Sequence, residues 1–129
     1  MTSMKYMTRV LPALAAAAAL AGCGSANLTV SQQNAGRAAR NYLAGSAFSK
    51  QGLIAQLQYP AGHGYSVQDA TVAVDGLNVD WTAQAVKSAK EYLQYSTSSF
   101  SCSRMTGQLS YAKFTASQAQ NAATKVGLC

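Results

Sequence analysis

Few side chains in this sequence are of the types that carry out catalysis or bind metal ions. His63 is the single histidine, and it lies between two glycines in a predicted turn, without a second ligand at metal-binding spacing. The acidic residues Asp69, Asp75, Asp80 and Glu91 are scattered along the chain rather than paired for acid–base work. The sequence contains no Gly-x-Ser-x-Gly elbow, phosphate loop or dinucleotide fingerprint. We therefore expect a solvated His63, no enzymatic activity, no metal site, no cofactor and no small-molecule substrate.

Cys23 is the residue whose surroundings predict a covalent modification. A basic start precedes the apolar run Val10–Ala21, which is too short for the ~20 residues of a membrane-spanning helix. Leu20-Ala21-Gly22-Cys23 places small residues before a cysteine and resembles the bacterial lipobox, whose cysteine thiol is alkylated by diacylglycerol before the signal is removed. An ordinary cleaved signal peptide is the alternative. The pattern predicts a signal peptide over residues 1–22 and a diacylglycerol, with a further N-acyl chain, on Cys23.

The remainder of the chain contains one pattern twice. Residues 35–57 and 85–109 each have Ala-x-x-x-Ala-x-x-Tyr-Leu, then Phe-Ser, then Leu-x-x-Gln-Leu, with Met105 replacing the first Leu in the second copy. The correspondence continues into residues 65–79 and 114–128. Self-similarity at a period of about 50 residues indicates one supersecondary unit used twice, each copy burying a face that the other would leave exposed. We predict a flexible tether over residues 23–33, repeat 1 over 34–79 and repeat 2 over 80–129.

Three helices are expected in each repeat, so the predicted fold is all-α, with two tandem three-helix units. The first helix should begin at Asn34, because apolar residues recur at helical spacing from there to about Gly45. Thr71–Val74 could form a short strand by propensity, but the cap before it favours a helix. The predicted N-cap residues of the other helices are Ser49, Ser66, Asp80, Ser101 and Thr115, with capping boxes at Ser66 and Thr115.

Cys102 and Cys129 remain once Cys23 is assigned to lipid, and an exported protein meets an oxidising compartment. We expect these two residues to form a disulfide, with two free thiols as the alternative. In the repeat alignment they replace Lys50 and Asp80. An ion pair between Lys50 and Asp80 would fasten the same corner in repeat 1.

The combined motifs, including the junction Val79-Asp80-Trp81 and the lipobox, resemble the Ltp family of surface-exposed lipoproteins of bacterial hosts and their temperate phages. The similarity covers residues 34–128. The chain departs from the family in Cys102 and Cys129, in a two-residue insertion between Tyr92 and Phe100, and in its low acidic content. The resemblance implies that the repeats are helix-turn-helix-like. It also implies a module displayed outside the cell membrane and held there by lipid.

Phage-encoded members of this family are superinfection exclusion proteins, which stop a second phage from delivering its DNA. The resemblance therefore implies that this chain binds an incoming phage component, with the tape measure protein as the proposed target, and blocks DNA injection. A host envelope lipoprotein with a structural or cell-surface binding role is the alternative function.

Basic side chains recur at matched positions of the two repeats. Arg37 and Arg40 correspond to Lys87 and Lys90 on the predicted outer faces of the first helices. These residues either solvate the helices or meet an anionic partner, such as lipid head groups, cell-wall polymer or an acidic region of a phage protein. We expect a monomer with a protein partner. A nucleic-acid partner is not expected, because an exported module meets no genome, and phage DNA in transit is the alternative.

The tyrosines near predicted turns have two open interpretations. They either cover the core or form an exposed contact patch, and the pattern alone does not distinguish these roles. The residues in question are Tyr59, Tyr65, Tyr95 and Tyr111.

Overall fold

The computed structural model describes residues 27–129, and within them the chain is entirely helical, as the sequence predicts. The signal peptide and Cys23 lie outside the described residues. Thr71–Val74 is part of a helix rather than a strand. The helices are α1 (Val30–Gly45), α2 (Lys50–Gln58), α3 (Val67–Asp75), α4 (Trp81–Tyr95), α5 (Cys102–Tyr111) and α6 (Ala116–Lys125).

Helix α1 begins four residues earlier than the sequence analysis predicts. The Thr29 hydroxyl accepts a hydrogen bond from the Gln32 backbone N–H at 3.1 Å, and the Gln32 side chain accepts one from the Thr29 N–H at 3.1 Å. This reciprocal capping box satisfies two amides that a helix start leaves without partners. Residues 30–33 are therefore helical, and the predicted tether over 23–33 is wrong in this part.

Side-chain caps begin the other helices at the predicted residues. Thr115 forms the predicted capping box with Gln118. Ser66 accepts from the Asp69 N–H at 3.1 Å, but the predicted reciprocal bond is absent. The Asp69 carboxylate instead accepts from the Gln32 side chain at 3.1 Å. It thereby connects α3 to α1 within repeat 1.

Each repeat has its own hydrophobic core. The first and third helices of a repeat pack closely through alanines, such as Ala39 with Ala70 in repeat 1. The second helix adds larger side chains, including the fully buried Leu53 and Leu57. Burying one such leucine contributes about 2 kcal/mol. In repeat 2 the core consists of Ala85, Ala89, Met105, Leu109, Phe114, Ala119, Ala122 and Ala123.

The repeated Tyr-Leu and Gln-Leu motifs meet in space. The Gln56 side chain donates to the Tyr42 hydroxyl at 3.5 Å, and Gln108 donates to the Tyr92 hydroxyl at 3.3 Å. The repeated phenylalanine packs against the same tyrosine, with ring centroids 5.8 Å apart for Tyr42 and Phe48. The glutamine therefore gives a half-buried phenol its hydrogen-bond partner, which explains why both motifs occur in each copy.

In both repeats the C-terminal end of the third helix is connected to the start of the second helix, by a disulfide in repeat 2 and by an ion pair in repeat 1. Cys102 and Cys129 form a disulfide with their Cα atoms 4.9 Å apart. In repeat 1, Lys50 forms an ion pair with Asp75 at 2.6 Å, so the predicted partner Asp80 is wrong. Asp75 ends α3 beside Lys50, whereas the Asp80 carboxylate caps α4 by accepting from the Ala83 N–H.

Residues 47–49 of repeat 1 form hydrogen bonds to repeat 2, and we call them the junction segment. The Ala47 N–H donates to both carboxylate oxygens of Glu91, at 3.2 and 3.3 Å, and the Phe48 N–H donates to Gln84 at 3.2 Å. The Ser49 hydroxyl donates to the Ala112 carbonyl at 2.6 Å. All of these contacts are hydrogen bonds, and Ser49 is almost fully buried.

We predict that the double variant Cys102→Ser/Cys129→Ser lowers the free energy of unfolding by about 3–4 kcal/mol, because the disulfide closes a loop in the unfolded chain. Urea unfolding of the purified protein measures this value. Lys50→Gln is the matched control in repeat 1 and should cost about 1 kcal/mol or less, since the ion pair is partly exposed. Equal unfolding midpoints for the wild type with and without reductant would contradict the prediction.

We also predict that Ser49→Ala costs about 2 kcal/mol and Ser101→Ala about 1 kcal/mol in the free energy of unfolding. Both serines cap a helix, but only Ser49 also donates across the junction. The difference between the two variants therefore isolates the junction hydrogen bond. Identical losses for both variants would show that this bond adds no stability.

Candidate functional site

The four basic residues singled out from the sequence are all exposed, but they do not line one site. Lys87 and Lys90 line a shallow concavity of 540 Å³ that Arg37 and Arg40 do not reach. The Lys87 ammonium also lies 3.4 Å from the Leu43 carbonyl of repeat 1. This concavity contains Asp80 and Lys125 as well, so its charge is mixed.

His63 is exposed, as a solvated turn residue should be, but its ring contacts two aromatic side chains. It stacks on Tyr65 with centroids 5.6 Å apart and meets the edge of Tyr42 at 5.8 Å. Among residues 27–129, no three metal-ligating side chains lie together. The contacts of His63 are therefore packing contacts within repeat 1.

A concave surface with a volume of 420 Å³ adjoins the junction segment and lies between the two repeats. We call it the junction groove. Repeat 1 supplies one wall from the junction segment and α2, and repeat 2 supplies the other from α4 and the turn after α5. Its lining consists of Ala47, Phe48, Ser49, Gly52, Ala55, Gln56, Tyr59, Ser88, Tyr92, Tyr111, Ala112, Lys113 and Phe114.

Exposed tyrosines border this groove, which answers the question that the sequence left open. Tyr59 and Tyr111 are 59% and 85% exposed, and both line the groove. Tyr95, which is 77% exposed, lines a second concavity of 380 Å³ that shares Ala47, Ser88 and Tyr92 with the junction groove. Tyr65 instead packs against the core of repeat 1. Three of the four tyrosines are thus exposed along the junction, and the fourth covers the core.

Lys113 gives the groove its positive charge and has a strained backbone. Its φ of 73° lies in the left-handed region, where an ordinary residue costs about 1–2 kcal/mol. Gly64, with φ of 65°, is at the matching position of repeat 1 and adopts this conformation freely. No residue lining the groove is acidic. An acidic group bound there would therefore meet a cation without a competing carboxylate in the lining.

The composition of the groove suits binding rather than bond-making chemistry. Small residues such as Gly52 and Ala55 form an apolar floor, while Gln56, the tyrosine hydroxyls and the Lys113 ammonium offer hydrogen bonds. Sequence reasoning identified the tyrosines as candidates because they adjoin turns. It missed Gly52, Ala55 and Lys113, since nothing local to them reveals that two repeats meet at these positions.

A comparison with models of protein families identifies the class of protein to which the chain belongs. The model described as host cell surface-exposed lipoprotein of the Ltp type matches residues 31–77 and again residues 80–126. No curated protein and no solved structure matches the chain. None of the helices within residues 27–129 has both the length and the apolar character to cross a membrane. The chain belongs to the Ltp family of host cell surface-exposed lipoproteins.

Proposed function

We propose that this protein is anchored by acyl chains on Cys23 at the outer face of the cell membrane, where it binds an incoming phage component and blocks DNA injection. Membership of a family of surface-exposed lipoproteins supports the location. The tyrosine-bordered junction groove is the observation that carries the binding role. In this proposal the protein acts as a monomer, without catalysis and without a cofactor beyond its lipid.

The exposed tyrosines support a protein partner. Tyrosine presents a large apolar surface with a hydroxyl and little conformational freedom, and it is among the residues that contribute most to protein interfaces. Tyr59 and Tyr111 are held on opposite walls of one groove, so a single polypeptide segment can contact both. A phage protein such as the tape measure protein would supply this segment during DNA delivery.

The positive charge of the protein restricts the kind of partner segment further. Once the signal peptide with Lys5 and Arg9 is removed, the remaining basic residues still outnumber the four acidic ones. Lys113 brings part of this charge to the groove. We therefore propose a segment in which an apolar side chain fills the groove and a neighbouring carboxylate meets Lys113.

The anchor determines how the groove is displayed. Val30 is the seventh residue after Cys23, and a chain of this length reaches at most about 25 Å. The repeats would therefore remain close to the bilayer, where an entering phage component must pass. Two or more acyl chains would hold the module there stably, whereas one chain would exchange off.

A structural or adhesive role in the host envelope is the second candidate. The concavity with Lys87, Lys90 and Lys125 favours it, because clustered ammonium groups attract anionic lipid head groups or cell-wall polymers. Phage infection separates the two candidates, since an envelope role does not require any change in DNA entry.

We predict that cells producing the wild-type protein adsorb sensitive phage normally but take up less phage DNA, and that Tyr59→Ala/Tyr111→Ala restores uptake. Loss of each tyrosine should weaken binding by about 1–2 kcal/mol, or roughly tenfold. Phage DNA inside the cell is quantified after infection. Val67→Ala, which changes an exposed side chain outside the groove, is the control.

Normal DNA entry for every phage tested, with the protein shown to be on the cell surface, would reject exclusion and leave the envelope role. Exclusion that survives the tyrosine variant would instead reject the groove as the binding site.

We predict that Cys23→Ala abolishes incorporation of labelled palmitate and releases the protein from the membrane fraction, because the thiol is the proposed site of acylation. Wild-type protein prepared in parallel, and the double variant of Cys102 and Cys129, should both retain the label. A Cys23→Ala protein that still fractionates with membranes would show that something other than lipid holds it there.

A further inference from the structure

The surface of repeat 2 that holds the junction segment has a counterpart in repeat 1. In repeat 2, Glu91 accepts from the Ala47 N–H, the Ala112 carbonyl accepts from the Ser49 hydroxyl, and Ser88 and Tyr92 line the same surface. The matching residues of repeat 1 line a concavity of 290 Å³, and no segment of residues 27–129 is seated on them. These residues are Ala38, Asn41, Tyr42 and His63.

The backbone confirms that these positions correspond. In both repeats the residue before the N-cap of the third helix donates a backbone hydrogen bond to the second helix. The Tyr65 N–H donates to the Leu57 carbonyl at 3.0 Å, and the Phe114 N–H donates to the Leu109 carbonyl at 3.1 Å. The left-handed residues Gly64 and Lys113 directly precede these amides. His63 therefore occupies the place of Ala112, although the turn in repeat 1 is longer.

We propose that this concavity, which we call the vacant acceptor, binds the start of a helix from another protein, in which a small residue, an aromatic residue and a serine precede the helix. The junction defines this occupant, because Ala47-Phe48-Ser49 is what the matching surface of repeat 2 holds. The inference concerns a surface separate from the junction groove and does not depend on the proposed function.

The vacant acceptor has a side chain that can accept a hydrogen bond from the backbone of such a segment. Asn41 is at the position of repeat 1 that matches Glu91, which receives the Ala47 N–H in repeat 2, and Asn41 is exposed. An amide oxygen accepts one such bond without a charge, so the bond should be weaker than that made by Glu91. The His63 and Tyr42 rings add an aromatic wall beside it.

The occupant must also have glycine three residues after its serine. A Cβ atom on Gly52 would lie 2.7 Å from the Ser49 hydroxyl oxygen and 3.4 Å from the Ala112 carbonyl oxygen. The helix start can therefore approach its acceptor closely only if that position has no side chain.

This requirement excludes a second copy of the chain. The matching turn of repeat 2, Ser99–Ser101, is followed by Arg104 in the place of Gly52. The Arg104 guanidinium donates to the Ser99 carbonyl at 3.2 Å and lies over the Phe100 ring at 5.4 Å, so it covers this turn. The chain's own Ala47–Ser49 turn is already used at the junction, and residues 1–26 contain no aromatic residue followed by serine.

A three-repeat chain tests the vacant acceptor with an occupant of known chemistry. A second copy of residues 30–79 is inserted directly before Val30 of the full chain, which keeps the separation of 44 residues that joins Ala47 to Glu91. Where the added copy meets the original chain, Val30→Asp in the original chain supplies an N-cap like the one that Asp80 provides for α4. Hydrogen exchange of the Ala47 and Phe48 amides in the added copy is measured by NMR.

We expect these two amides to exchange at least tenfold more slowly in the three-repeat chain with Asn41 than in the same chain with Asn41→Lys, which places a cation against the N–H groups. Asn41→Glu should slow exchange further, because it restores the carboxylate of Glu91. Gly52→Arg in the added copy reproduces Arg104 and should remove the protection.

Equal exchange rates in the Asn41, Asn41→Glu and Asn41→Lys chains would overturn the proposal. An added copy that remains unfolded with both Asn41 and Asn41→Glu would overturn it too. Urea unfolding of the same chains provides a second readout, in which a filled acceptor raises the midpoint of the original repeat 1 and Asn41→Lys lowers it again.

Discussion

The backbone amides of Ala47 and Phe48 impose the constraint on which the two-repeat arrangement depends. They lie in the turn between α1 and α2, where neither helix supplies a carbonyl, and a buried N–H without a partner is costly. Gln84 and Glu91 of the other repeat provide the acceptors. One repeat therefore completes the hydrogen bonding of the other, and the walls of the junction groove are positioned by this exchange.

The two ends of the repeat pair differ because the turn of repeat 1 donates hydrogen bonds to repeat 2, whereas the turn of repeat 2 has no third repeat among the described residues to contact. No segment of residues 27–129 covers the acceptor surface of repeat 1, while Arg104 folds over the donor turn of repeat 2. Terminal units of repeat proteins commonly have an altered outer face that stops further stacking. Within the described part of the chain, such a closure is present at the end formed by repeat 2.

Sequence reasoning predicted the features that depend on local chemistry and missed those that depend on contacts between distant residues. The N-caps and the all-α repeats follow from spacing, because capping residues act within one turn. The start of α1 was also readable, since Thr29 and Gln32 have capping-box spacing, but it was assigned to the tether. Asp75 as the partner of Lys50 and the exposure of Tyr111 required the packing of helices on one another. No local pattern encodes that packing.

The disulfide gives the two repeats unequal resistance to mechanical load. Cys102–Cys129 closes repeat 2 covalently, whereas the corresponding corner of repeat 1 depends on a partly exposed ion pair. If the chain is held at the membrane through its N-terminus, as we propose, a partner that pulls on repeat 2 would transmit the whole force through repeat 1. Repeat 1 would then extend first and lengthen the connection to the membrane, while the cross-linked loop of repeat 2 stays closed. The molecule would yield under tension without being torn from its attachment.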